Sequence, residues 1–174
     1  MSTGPRIPLA EALDIAANTL ATLRPHCHKA DIAGSVRRQR STVGNLEIVC
    51  LPDRNAIESL PLFAGGFPAA VEQWPGIKGS PDGCYTQRLL PCGLKLDLFM
   101  PHPDAYGLIL AIRTGSAEWS HKVLATGWTR AGFHSEGGLL RREHGSVVPC
   151  RTERELFDVI GLRWVEPVDR EVGP

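Results

Sequence analysis

The sequence predicts an α+β fold, in which short alternating strands and separate amphipathic helices are divided between two lobes. Three observations predict it. Residues 8–23 repeat apolar side chains at helical spacing, and residues 45–51 and 84–99 alternate as half-buried strands do. The breaker-rich run MPHPD, near 101–104, interrupts regular elements on both sides and marks the lobe boundary.

Each element follows in order. In the first helix Leu9, Leu13, Ile15, Ala16, Leu20 and Leu23 fall largely on one side, Pro8 suits the first turn, and Pro25 stops it. Residues 30–33 read as a short strand ending at Gly34, and 45–51 as a second strand closed by Pro52. A short helix is expected at 55–60. The Gly- and Pro-rich stretch 61–83 reads as loops with one short strand near Val71. Residues 84–90 and 94–99 make a hairpin across Pro91-Cys92-Gly93. Helices are expected at 106–112 and 116–129, and Thr152-x-x-Glu155 is a capping box opening a helix toward Ile160.

Composition narrows the class of protein. A chain of 174 residues, 43% hydrophobic and 22% charged, has the material for a real core. Its 19 basic residues balance 19 acidic ones, which excludes a global positive field but not a local stripe that neutralises phosphates. The five cysteines (27, 50, 84, 92 and 150) are odd in number and lack a CxxC spacing, so reduced, non-metal thiols are expected. The cluster His26-Cys27-His28 has no complementary Cys/His group nearby. With no apolar run of about 18 residues and no signal-peptide stretch, a cytoplasmic protein without a membrane partner is expected.

The chemistry concentrates in AGSVRRQRSTVGNLEIVC, residues 33–50. Side chains two apart in a strand share a face, so Asn45 and Glu47 point together while Leu46, Ile48 and Cys50 face the core. In LKLDLFM, Asp97 projects beside Lys95 with Leu94, Leu96 and Leu98 opposite. If the two strands pair, Asn45, Glu47 and Asp97 form a cluster of oxygen ligands suited to Mg²⁺. The alternation alone also fits the solvent face of an amphipathic sheet. The loop upstream favours chemistry: Gly34 permits close backbone approach, Ser35 offers a hydroxyl and an amide, and Arg37, Arg38 and Arg40 supply fixed charge for a triphosphate.

These motifs resemble a family. A Gly-Ser pair followed about a dozen residues on by an acidic-x-acidic strand marks the nucleotidyltransferase superfamily that includes DNA polymerase beta. Within it, GSVRRQRSTVGNLEIV resembles the X-family polymerases. KLDLFM resembles their third-carboxylate strand, RTGSAEWSHKV their nucleotide-binding turn, and TERELFDVIGLRWVEPVDRE their C-terminal signature. The resemblance implies a palm (1–104) with a mixed or antiparallel sheet flanked by helices, then a small α+β thumb lobe (105–174). It implies a template-directed DNA polymerase that fills gaps during DNA repair, acting as a monomer on primed or gapped DNA and dNTP. Two Mg²⁺ ions, with Mn²⁺ as the alternative, would sit on Asn45, Glu47 and Asp97. Gly34, Ser35, Arg38 and the amide of Gly44 would hold the phosphates, and Lys95 the primer end. Gly115 and Ser116 would turn against the incoming sugar with Ser120 nearby; Trp119 is assigned equally to the nucleotide or to core packing. Lys122, Arg130, Arg141 and Arg142 are DNA-backbone candidates, each equally readable as solvated surface. The chain begins almost at the palm, as in minimal palm-plus-thumb members known from viruses, so no deoxyribose-phosphate lyase activity is expected. Leu124 stands where polymerase beta has an arginine that checks the template, which points to relaxed fidelity.

Two departures matter. Glu47 in place of aspartate is mild. Asn45 is not, because a neutral amide cannot bridge two cations as a carboxylate does. An inactivated version of an aspartate-bearing enzyme, a natural polymerase of reduced or manganese-favoured activity, and a non-catalytic DNA-end or nucleotide binder each explain it. A nucleotidyltransferase acting on RNA, protein or a small molecule is a further alternative.

Overall fold

The computed structural model of the protein describes residues 5–54 and 65–171. The helix expected at 55–60 lies outside those residues. The chain divides into two compact units, 1–100 and 101–174.

The first unit opens with a two-residue strand β1 (Ile7–Pro8), followed directly by α1 (Leu9–Leu23). Pro8 is the extended residue just before the helix rather than part of its first turn; it pairs with Thr42 of β3 (Thr42–Val43). One face of α1 buries Ala12, Ala16, Thr19, Leu20 and Leu23. Leu13, expected on that face, is 46% exposed, and the small Ala12 takes the inward position instead. The helix stops at Leu23, where a single 3₁₀ turn over Arg24–His26 contains Pro25.

Five strands make the sheet: β2 (Cys27–Ile32), β4 (Asn45–Pro52), β5 (Gly76–Gly79), β6 (Tyr85–Leu89) and β7 (Lys95–Phe99), in the order β2-β4-β7-β6-β5. Only the β4–β7 pair is parallel, so the sheet is mixed. Leu46, Ile48 and Cys50 of β4 and Leu96 and Leu98 of β7 join α1, together with Phe67 and Val71 of α3 (Gly66–Glu72), in one core. Each such leucine or isoleucine contributes about 1.5–3 kcal/mol by leaving water. Helices therefore cover one face, and the alternate residues of β4 and β7 project from the other.

The sequence misplaced two elements here. Val71 is not on a strand but on α3, fully buried, after a left-handed Gly65 that lets the chain enter the helix. The strand of this region is β5, an edge strand whose four residues are all exposed, so it has no buried face to betray it. The 85–99 hairpin is present, closed by Gly93 N–H to Leu90 O at 2.9 Å.

In the second unit, α4 (Tyr106–Thr114) packs against α7 (Glu153–Val159). Gly107 makes the approach possible: a Cβ there would lie 2.1 Å from the Thr152 backbone. Thr152 and Glu155 form the expected capping box. The helix expected at 116–129 exists, as α5 (Ala117–Trp119), a π-helical stretch (Ser120–Ala125) and α6 (Thr126–Arg130) in succession. A three-stranded antiparallel sheet, unforeseen from the sequence, follows: β8 (Phe133–Glu136), β9 (Leu139–Arg142) and β10 (Val147–Val148). The Gly137-Gly138 turn, both residues at positive φ, is its sequence signal. Leu108, Ala111, Trp119, Leu124, Leu140, Leu156 and Phe157 anchor this unit's core. Among the described residues no helix is long and apolar enough to cross a membrane.

Candidate active site

Parallel pairing of β4 with β7 sets Glu47 directly beside Asp97 and Asn45 beside Lys95, with Gln87 of β6 next to Asp97 on its other side. A row of polar side chains thus crosses three strands on the face turned away from α1. The row converges on one group. Asn45 Nδ2 donates to Asp97 Oδ2 at 2.8 Å, while the Tyr85 hydroxyl and Gln87 Nε2 donate to Oδ1 at 2.6 and 2.8 Å. Asp97 is only 7% exposed, and three neutral donors compensate the water it has lost.

Tyr85 and Gln87 were missed by reading the sequence for carboxylates alone. The signal was there: a hairpin turning over 91–93 puts 87 opposite 97, and Tyr85, two residues earlier, shares that face.

The Gly34 loop lies against the same row. β2 hands over to a short helical turn, α2 (Gly34–Arg37), and Ala33 N–H donates to Glu47 O at 2.8 Å. Gly34 has φ +62°, and a Cβ there would fall 2.0 Å from Glu47 Oε2. Any other residue would both strain the backbone and displace the carboxylate. Ser35 and Arg38 follow on this turn, half-buried. Gly44, preceding Asn45, has a neighbour the sequence reading overlooked. Arg6 holds Thr42 through Nε and Nη2, and its Nη1 would lie 3.4 Å from a Gly44 Cβ.

The donor set sets limits on a metal. Two carboxylates side by side on a sheet face, in room left by Gly34, fit a divalent cation completed by substrate oxygens. A second ion is poorly provided for: Asn45 turns an N–H, not an oxygen, toward Asp97. Among the described residues no group of three His, Cys, Asp or Glu side chains is arranged to hold a metal.

The remaining candidates sit in the second unit. Gly115 (φ 71°) and Ser116, joined by a cis peptide, form a turn in which Ser116 Oγ accepts from Trp119 N–H at 3.3 Å and caps α5. Trp119 is 4% exposed and stacked on Phe157, 6.1 Å between centroids, so of its two readings core packing is the one observed. Ser120 is buried too, its hydroxyl donating to Ile112 O at 3.1 Å. Of the basic candidates Lys122 is exposed and ion-paired with Glu118, and Arg130 is exposed. Arg141 is tied to Glu136 and to Gly145 O, and Arg142 lies over the Phe133 ring.

Residues 109–171 match the family model described as the DNA polymerase beta thumb, so this part of the chain is similar to that domain. The match covers less than half of the chain and leaves the carboxylate-bearing unit outside it. No curated protein matches the chain.

Proposed function

We propose that the chain is a DNA polymerase of the X-family kind, adding a deoxynucleotide to a primer 3′-hydroxyl at a gap in DNA, at a rate held down by Asn45. The observation that carries this reading is the pairing of Glu47 with Asp97 beside the Gly34 turn, in a chain whose other unit matches a polymerase thumb.

The roles follow from chemistry. Ser35, Arg38 and the Gly44 amide bind the β- and γ-phosphates, with the Arg6 guanidinium as added charge at Gly44. Glu47 and Asp97 would hold a divalent cation, Mg²⁺ or Mn²⁺, which when bound neutralises the triphosphate and lowers the pKa of the attacking hydroxyl. Asn45, Tyr85 and Gln87 fix the Asp97 carboxylate in one orientation. Lys95 stands at the primer end, and Gly115-Ser116 turns against the sugar. Lys122, Arg130 and Arg142, with Arg141 less available, contact the DNA backbone. Positioning and electrostatics then carry most of the acceleration.

Restoring a carboxylate at Asn45 is the decisive test. Primer extension with Mg²⁺ or Mn²⁺ is expected to rise by about a hundredfold or more in Asn45→Asp, since each ~1.4 kcal/mol of regained transition-state stabilisation is tenfold. No gain would reject the reading. The alternative then favoured is a non-catalytic DNA-end or nucleotide binder, which one observation supports: Asn45 aims an N–H, not an oxygen, at Asp97 Oδ2. Comparing incorporation with and without a template strand separates a polymerase from other nucleotidyltransferases.

A further inference from the structure

Cys27 of β2 and Cys50 of β4 stand on neighbouring antiparallel strands, and both are free thiols. Cys50 is fully buried in the core that the helices cover, together with Leu46 and Ile48. A regular β2 would hold Cys27 away from it. Ala30 lies opposite Cys50, buried on the same face, and Cys27 is three residues earlier, an odd step that turns a side chain to the other face. The bulge between Cys27 and Lys29 inserts the residue that corrects this parity. Cys27 comes opposite Pro52, two places from Cys50, and packs against the same core. His28 and Lys29 are left exposed and Cys27 half-buried.

The bulge thus brings the two sulfurs together, and their thiols share a hydrogen bond. That bond first, and burial second, push the Cys50 thiol well above its ordinary value, so it keeps its proton. Cys84 and Cys92 are exposed, and Cys150 is buried in the core of the other unit. A half-exposed thiol in contact with a sealed one is suited to oxidation in two steps, the first sulfur meeting the oxidant and the second resolving the product.

We infer that Cys27 and Cys50 are a reversible redox staple: hydrogen peroxide converts them to a disulfide that ties β2 to β4 at the end of the pair away from the Gly34 turn. The Cys27 thiolate attacks the peroxide, takes one oxygen as a sulfenic acid and releases hydroxide. The Cys50 sulfur then attacks the Cys27 sulfur; the S–O bond breaks, and the hydroxyl leaves with the Cys50 proton as water. Counting the proton that Cys27 gave up, two thiols are oxidised and one hydrogen peroxide is reduced to two waters. Two equivalents of a small thiol reverse the step. The bond closes a ring of 24 residues, 27–50, which contains the Gly34 turn, Asn45 and Glu47. It therefore restricts the unfolded chain in the segment that carries the candidate site. The staple stands apart from the polymerase reading and needs no ligand.

The test uses the full chain with Cys84→Ser and Cys92→Ser, which remove the exposed thiols. After hydrogen peroxide, blocking of free thiols and non-reducing tryptic digestion, peptides 7–29 and 41–54 are expected joined, two hydrogens lighter than their sum, and separable by dithiothreitol. The urea midpoint of the oxidised chain is expected about 1 M above that of the reduced chain, a shift abolished by Cys27→Ser at its half-buried position. In Cys50→Ala, dimedone is expected to capture sulfenic acid on Cys27 at least about tenfold more than in the parent, because nothing resolves it. No joined pair in the folded parent, or equal dimedone capture in parent and variant, overturns the pairing. A joined pair that leaves the urea midpoint unmoved overturns the staple.

Discussion

Asp97 and Arg170 are both charged and both nearly sealed from solvent, yet the two units treat them differently. In the first unit Asp97 receives only neutral donors, from Asn45, Tyr85 and Gln87. In the second, Arg170 is matched by a full opposite charge on Glu153 and covered by rings. Neutral donors orient a carboxylate without cancelling its field, so Asp97 keeps its attraction for a cation. A buried counter-charge cancels the field, and Arg170 becomes a structural fastening. The nature of the partners, more than burial, separates a charge available for chemistry from one fixed in architecture.

The comparison breaks most visibly when each charge is removed. In the Asn45→Asp background, Asp97→Asn is expected to lower primer extension at least about a thousandfold, while stability falls by no more than about 2 kcal/mol in urea melts. Glu153→Ala is expected to do the reverse, costing about 3–5 kcal/mol of stability by leaving Arg170 buried and uncompensated. An Asp97→Asn chain that unfolds, or a Glu153→Ala chain as stable as its parent, would erase the distinction.

A smaller change sharpens it. Gln87→Leu removes one donor from Asp97 Oδ1 and leaves the Tyr85 and Asn45 bonds. Extension is expected to drop about tenfold with the circular dichroism spectrum unchanged, as befits a group that orients rather than reacts.

The smallest expected effect is one of pH. Burial first, and Glu155 second, push the Cys150 thiol up to about 11. Its folded pKa is therefore above its unfolded value, about 8.5. The stability it contributes is full below that lower value and is lost as pH rises through the folded one. Urea midpoints should thus fall more steeply between pH 8.5 and 11 in the parent chain than in Cys150→Ala. Cys50 is shifted in the same direction by Cys27 and burial, so the variant retains part of the slope.

What the sequence disclosed depended on how each element buries its residues. The strand at 45–52 and the second arm of the hairpin were legible because leucine and isoleucine alternate there with polar residues, and the capping box because it is a local bond pattern. Helix α3 was hidden by its brevity and by Pro68 in its first turn, and β5 by having no buried side. The first residues of β2, Cys27 to Lys29, are interrupted by a bulge and so carried no alternation. At the site, the meeting of Glu47 with Asp97 could be anticipated from two facing polar edges. Its parallel sense could not, since nothing local encodes which neighbour a distant strand selects. Trp119 was undecidable from spacing, because a buried and a ligand-facing aromatic look alike until their surroundings are known.

The five residues that join β6 to β7 have an influence out of proportion to their size. With residues 90–94 between them, turning over Pro91-Cys92-Gly93, position 87 meets position 97. Drop or add one residue in that connection, and the opposing place falls to Thr86 or Arg88, whose side chains lie on the apolar side of the ribbon. The carboxylate would then lose its amide and its phenol at a stroke, with no substitution at either. Loop length, a property invisible to any residue-by-residue comparison, is therefore a determinant of the polar cluster around Asp97 in its own right.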